Sequence, residues 1–213
     1  MNLDTPQLLA IAAALGWASG LRLYAVVFLT GIAGFMGWVD LPAGLKVLQH
    51  PALLGASGLM LFIEFFADKI PGVDTLWDLV HTVVRIPAGA ALAAAVFGAD
   101  QATWAMAAAL MGGTLAATSH VAKATTRAAI NTSPEPFSNV AMSLLGDGLV
   151  PLALWLSWAH PLLFFAALAV ALLLMVATIW LLAKFLRQLL RRLGGRPARA
   201  DRVDRLAPAA KEK

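Results

Sequence analysis

Long apolar runs dominate the chain, separated by short stretches rich in polar residues, proline or glycine. The runs lack strict alternation, so they predict helices rather than strands. Six of them serve as candidate spans: 7–36, 51–66, 79–97, 102–124 with a helical continuation toward 130, 137–158 and 161–185. A bilayer-crossing helix needs about 20 apolar residues. The first run is overlong and interrupted by Gly16, Gly20 and Arg22. His160-Pro161 is a tight break between the last two, because proline cannot continue a helix interior. Trp38, Trp77, Trp104, Trp158 and Trp180 fall near proposed ends, where indoles prefer the membrane interface. The expected fold is an all-α, polytopic membrane helical bundle.

Composition strengthens that reading. The 213 residues are 60% hydrophobic and 13% charged, about half the charge of a soluble domain. Continuous runs such as 88–99 and 161–183 also exclude the alternating segments of a β-barrel. The net charge of +4 is unevenly spread. From Lys184 onward there are ten basic and three acidic residues, a net +7, which leaves −3 for the rest of the chain. The basic tail reads as a topology signal attracted to anionic lipid head groups, not as a nucleic-acid surface. With no cysteine, disulfides, thiolate zinc sites and thiol catalysis are excluded. Residues 1–4 lack a basic segment, so the first run is expected to be retained rather than cleaved.

Lys/Arg bias sets the expected orientation. With the tail in the cytoplasm and six spans, the N-terminus is cytoplasmic too, and the loops around 67–78 and 125–136 face inward. Residues 1–190 are expected to form one transmembrane domain and 191–213 a disordered cytoplasmic tail. The domain also admits a division into two three-span repeats, 5–99 and 101–190, of opposite orientation. In that division Glu64 and Asp147 are equivalent acids, each deep in an apolar helix. Small-residue stretches 92–96 and 106–117 suit helix contacts within one bundle or between copies in a homo-oligomer.

Charge inside apolar spans is where chemistry is expected, since each such residue costs about 2.5–3.5 kcal/mol at the bilayer centre. Glu64 and Asp68 lie four apart and share a helix face. After Pro71-Gly72, Asp74, Asp78, His81 and Arg85 again recur on one face. Thr75 and Asp78 fit a capping box, with Asp74 or Thr75 at the helix start. Asp74, Asp78 and His81 are also candidate metal ligands. His120, Lys123 and Arg127 give the fourth span a basic face. A polar connector follows, with Asn131, Glu135 and Asn139, and with Ser138 as the expected N-cap of the fifth span. This basic group either neutralises the acids of the first constellation or binds an anion. Asp147, between Gly146 and Gly148, and Arg22 are isolated midspan charges, for which a pair Arg22–Asp147 or Arg22–Glu64 is expected.

No phosphate-binding loop, dinucleotide fingerprint, His-Glu-x-x-His or Gly-x-Ser-x-Gly occurs, and no cofactor is required by the sequence. The block Glu64, Asp68-Lys69-Ile-Pro, Asp74, Trp77-Asp78, His81-Thr82, Arg85, Pro87-Ala-Gly, joined with Lys123, Arg127, Asn131, Ser133-Pro-Glu-Pro and Ser138-Asn139, resembles the bacterial membrane family called domain of unknown function 4126. The resemblance covers about residues 5–190 and implies a multi-span inner-membrane protein, with no catalytic role to carry over. The expected function is a small transporter or channel-like protein, moving or coupled to a cation or proton. Its polar path comprises Arg22, Glu64, Asp68, Asp78, His81, Arg85, His120, Lys123, Arg127, Asn131, Glu135, Asn139 and Asp147. The alternatives are a metal-dependent enzyme or binding protein for a phospholipid head group, and a non-catalytic scaffold.

Overall fold

In the computed structural model, residues 3–98, 101–132 and 137–194 are described. Their elements are α1 (Thr5–Phe35), a 3-10 helix (Ala43–Gln49), α2 (Pro51–Ala67), α3 (Val73–Ala95), α4 (Ala102–Ile130), α5 (Phe137–Ala159) and α6 (Pro161–Gly194). Five of these are long and apolar enough to cross a membrane, or six if the 3-10 helix and α2, bent by 70°, count as one broken span. The chain is therefore an all-α polytopic bundle.

α1 is the centre of the molecule. Residues 10–20 are buried on every side, as only a helix ringed by other helices can be. Small residues make this possible. A Cβ at Gly16 would fall 2.5 Å from the Gly112 Cα, and one at Gly112 would meet the Gly89 carbonyl at 2.8 Å. α1, α3 and α4 thus touch backbone to backbone, the packing that glycines permit between membrane helices.

α1 is not straight. Arg22 leaves helical geometry (φ −149°, ψ 85°) and joins two legs, 5–21 and 23–35. The first leg descends along α3, with Gly16 beside Gly89, and just past the turn Tyr24 reaches His81. The second turns back along α2, with Phe28 on Gly58, Gly31 on Leu54 and Gly34 on Gln49. Gly34 also meets Leu41, and Gly44 meets Ala95 at the far end of α3, so the second leg climbs toward the level the first came from. The legs are about 25 and 20 Å long at 1.5 Å per residue.

This reversal changes the expected orientation. The Gln7 side chain donates to the Trp158 carbonyl at the C-terminal end of α5 (2.8 Å), and α6 starts beside that end and runs away from it. Trp17 donates to the Met175 sulfur (3.4 Å), which fixes α1's first leg parallel to α6. The start of α1 and the end of α6 lie at opposite ends of the bundle. The expectation that both termini face the same side is corrected: α1 doubles back, and the doubling changes the parity of crossings.

Two smaller corrections concern caps. α3 begins at Val73 with Gly72 (φ 86°) as N-cap, so Asp78 caps nothing. Asp74 does serve the helix start, accepting from Gly72 N (2.8 Å) and Thr75 N (2.6 Å). Ser138 lies inside α5 rather than at its cap. α3 continues through Pro87 and α5 through Pro151 without ending. The expected tail falls outside the described residues from 195 on, while α6 itself extends to Gly194.

Candidate functional site: a balanced charge cluster at the turn of α1

The reversal of α1 places Arg22 where four other segments meet. Its Nε pairs with Asp147 of α5 (2.8 Å). Its Nη2 meets Asp68 at the end of α2 (3.2 Å) and donates to the Ser143 hydroxyl (2.8 Å). Breaking a helix frees carbonyls that must find donors. Here Lys123 of α4 donates to the Leu21 carbonyl (3.2 Å) and the Ser119 hydroxyl to the Trp17 carbonyl (2.6 Å).

Asp68 is the hub. Its Oδ2 lies 3.2 Å from Arg22, 3.0 Å from Lys123 and 3.3 Å from Arg127, and its backbone carbonyl accepts from Arg127 (2.8 Å). Lys123 also pairs with Asp78 (3.0 Å), and Arg127 with Asp74 (3.0 Å). Arg85, fully buried, is held by Glu64 and Asp78, each at 2.6 Å. Asn131 donates to Asp74 (3.1 Å) and Asn139 to Asn131 (3.3 Å), which ties the start of α5 to the end of α4. Lys69, in the turn before α3, reaches Asp147 (3.4 Å) and Ser143 (3.1 Å) over the face of Phe65. Burial draws the Lys69 ammonium below the ordinary lysine value, while the Asp147 carboxylate pulls the other way.

Two histidines are oriented by their neighbours. The Trp77 carbonyl can only accept, so His81 donates to it from Nδ1 (2.8 Å) and its Nε2 accepts from the Tyr24 hydroxyl (3.1 Å). Arg85 can only donate, so His120 accepts it at Nδ1 (3.3 Å) and donates from Nε2 to the Thr82 hydroxyl (2.7 Å). That hydroxyl in turn donates to the Asp78 backbone carbonyl (2.9 Å).

Among the described residues the cluster holds five cations (Arg22, Lys69, Arg85, Lys123, Arg127) and five carboxylates (Glu64, Asp68, Asp74, Asp78, Asp147). Opposite charges cancel in place, which is how a low-dielectric interior tolerates so many. The basic face of α4 neutralises the acids of α2 and α3. Of the expected Arg22 pairs, Asp147 forms one and Glu64 does not, because Arg85 takes Glu64.

The structure thus gathers Arg22, Glu64, Asp68, Asp78, Arg85, His120, Lys123, Arg127, Asn131, Asn139 and Asp147 into connected contacts, whereas His81 is held on Tyr24 and Trp77 beside them and Glu135 lies outside the described residues. The metal candidates Asp74, Asp78 and His81 do not converge. They face Arg127 and Asn131, Arg85 and Lys123, and Tyr24 respectively, and among the described residues no three His, Asp or Glu side chains gather as metal ligands. Sequence reasoning missed Tyr24 and Ser143. Tyr24 is the chain's one tyrosine, set two residues after Arg22 in an apolar run, and Ser143 sits one helical turn before Asp147.

A cavity of about 170 Å³ opens beside the cluster, between α4, α5 and α6. Arg22, Asp68, Lys123 and Arg127 form its polar floor, and its walls are mainly apolar, with Thr126, Ser143 and Thr178 among them.

The pattern of the domain of unknown function DUF4126 matches residues 9–184, which span the whole cluster. The chain belongs to the DUF4126 family. No curated protein and no solved structure matches it. For this DUF4126 member, what the site does rests on its own geometry.

Proposed function

We propose that the protein is a small multi-pass transporter or channel-like protein of a bacterial inner membrane, coupled to protons at Asp147. The basic end of α6 lies on the cytoplasmic side against anionic lipid. The observation that carries the reading is that one of the cluster's five acids is partly exposed while the other four are buried. The Asp147 side chain is 23% exposed, against 0–4% for Glu64, Asp68, Asp74 and Asp78. It is also the ionic tie of α5 to Arg22 and Lys69. Taking up a proton at Asp147 weakens both pairs at once and leaves Ser143 as the contact of α5 with Arg22 and Lys69. A broken helix whose turn carries the charges supports the same reading, since discontinuous helices form the substrate and ion sites of many transporters. The charge balance favours a proton over a bound metal cation, because the cluster has no surplus carboxylate to hold one.

The test uses proteoliposomes with an imposed pH gradient and an entrapped pH dye. Wild-type protein is expected to speed decay of the gradient, and Asp147→Asn to return it to the rate of empty vesicles. Wild-type decay no faster than empty vesicles, or undiminished decay in a folded Asp147→Asn protein, would sink proton coupling at this residue.

A further inference from the structure

We propose that the cavity between α4, α5 and α6 is a binding site for a single-chain amphiphile with an anionic head, a carboxylate or a phosphate monoester. The proposal deepens the transport reading by naming the class of molecule carried, and it rests on that reading only for the word carried.

The floor of the cavity has the charge for such a head. Three cationic side chains line it, Arg22, Lys123 and Arg127, and one carboxylate, Asp68. The other four acids that balance the cluster, Glu64, Asp74, Asp78 and Asp147, pair with these and neighbouring cations but do not line the cavity. Arg22 is 1% exposed, yet its Nη1 has no hydrogen-bond partner. A buried guanidinium nitrogen without an acceptor is costly, and an oxyanion in the cavity would satisfy it.

The walls have the chemistry for a tail. Met142, Leu145 and Leu149 of α5 face Leu174 and Met175 of α6 across the cavity. Two of these, Leu145 and Leu174, are more than half exposed, 52% and 63%, so the apolar wall continues onto the flank of the bundle. That flank faces lipid if the helices span a bilayer. The Gly146 backbone beside Arg22 leaves room at the junction of floor and wall, where even an added Cβ would stay 3.6 Å from the guanidinium. At about 170 Å³ the cavity suits a head group and the first carbons of a chain, with the remainder lying along the open side. A free inorganic anion would use the floor and leave the apolar wall without a role. A cationic amphiphile would put its charge against three cations.

The experiment is photolabelling of the full chain in neutral nanodiscs with a dodecyl phosphate bearing a diazirine on its alkyl chain, followed by peptide mapping. Adducts are expected on Met142, Leu145, Leu149 and Met175. Excess dodecyl phosphate should suppress them, whereas inorganic phosphate and dodecyltrimethylammonium should not. Leu149→Trp fills the cavity and changes no charge, so it should cut these adducts by about tenfold or more, the scale on which apolar pockets reject a misfit, while the protein melts as wild type does. Arg22→Gln should weaken labelling as well. Should it fail to fold, Leu149→Trp carries the test alone. Labelling confined to the outer face of α6, or unchanged in Leu149→Trp, or suppressed equally by the cationic analogue, would overturn the site. Suppression by inorganic phosphate would replace the amphiphile with a free anion. Labelling of the wild-type chain in nanodiscs uses no pH gradient, so a failure of gradient decay in proteoliposomes and a loss of these adducts are separate outcomes.

Discussion

Asp68 is the residue on which the charge cluster depends, because one carboxylate oxygen answers three cations from α1 and α4. Asp68→Asn keeps the shape and removes the charge, leaving a buried excess of positive charge. Breaking a buried pair from one side costs about 3–5 kcal/mol. Asp147→Asn removes a partly exposed acid and should cost a fraction of that. Unfolding of both variants in the same detergent checks the order, and a smaller loss for Asp68→Asn than for Asp147→Asn would remove Asp68 from the centre. Much of this site was legible in the sequence, since charges in apolar spans must find one another. The i to i+4 spacing placed Glu64 and Asp68 on one face, and the 120, 123 and 127 spacing did the same for the basic side chains of α4. What was not legible was the partner choice. Glu64 goes to Arg85 and Asp147 to Arg22 because of how α2 and α5 approach, which no local spacing encodes.

At the scale of elements, the backbone contacts of α1 with α3 and α4 fix the position of every charge around Arg22. Gly16→Ala puts a methyl 2.5 Å from the Gly112 Cα, and backbone there cannot yield without separating two helices. Overpacking of this kind costs about 1–3 kcal/mol. A Cβ at Gly55, on the exposed face of α2, meets nothing within 4 Å, so Gly55→Ala should be neutral or slightly stabilising. Thermal unfolding of the pair checks the contrast, and equal effects would refute tight packing at Gly16. Element existence was readable from apolar run length, and α3 to α6 begin or end within a few residues of the expected bounds. The break in α1 was half readable. Gly16, Gly20 and Arg22 marked an interrupted span, and the turn falls on the last of them, a residue with no intrinsic tendency to break a helix. Tertiary partners hold it there: Asp147, Asp68 and Ser143 on its side chain, and Lys123 on the carbonyl just before it.

The whole molecule turns on that break, because a helix that doubles back reverses the side on which the chain begins. Counting apolar runs treats 7–36 as one crossing and puts both termini together. The contacts of Gln7 with Trp158 and of Trp17 with Met175 instead put the start of α1 beside the α5–α6 junction, at the end opposite the connection that follows α4. The absence of native cysteine makes this directly testable, since any introduced thiol is the only one present. Thr5→Cys, His160→Cys and Thr132→Cys all replace exposed residues. With a membrane-impermeant maleimide applied to intact cells, Thr5→Cys and His160→Cys should label together, and Thr132→Cys only after the membrane is opened. Labelling of Thr5→Cys in step with Thr132→Cys would mean that α1 crosses once, and the turn at Arg22 would lose its place as the point where the charges of five segments are brought together.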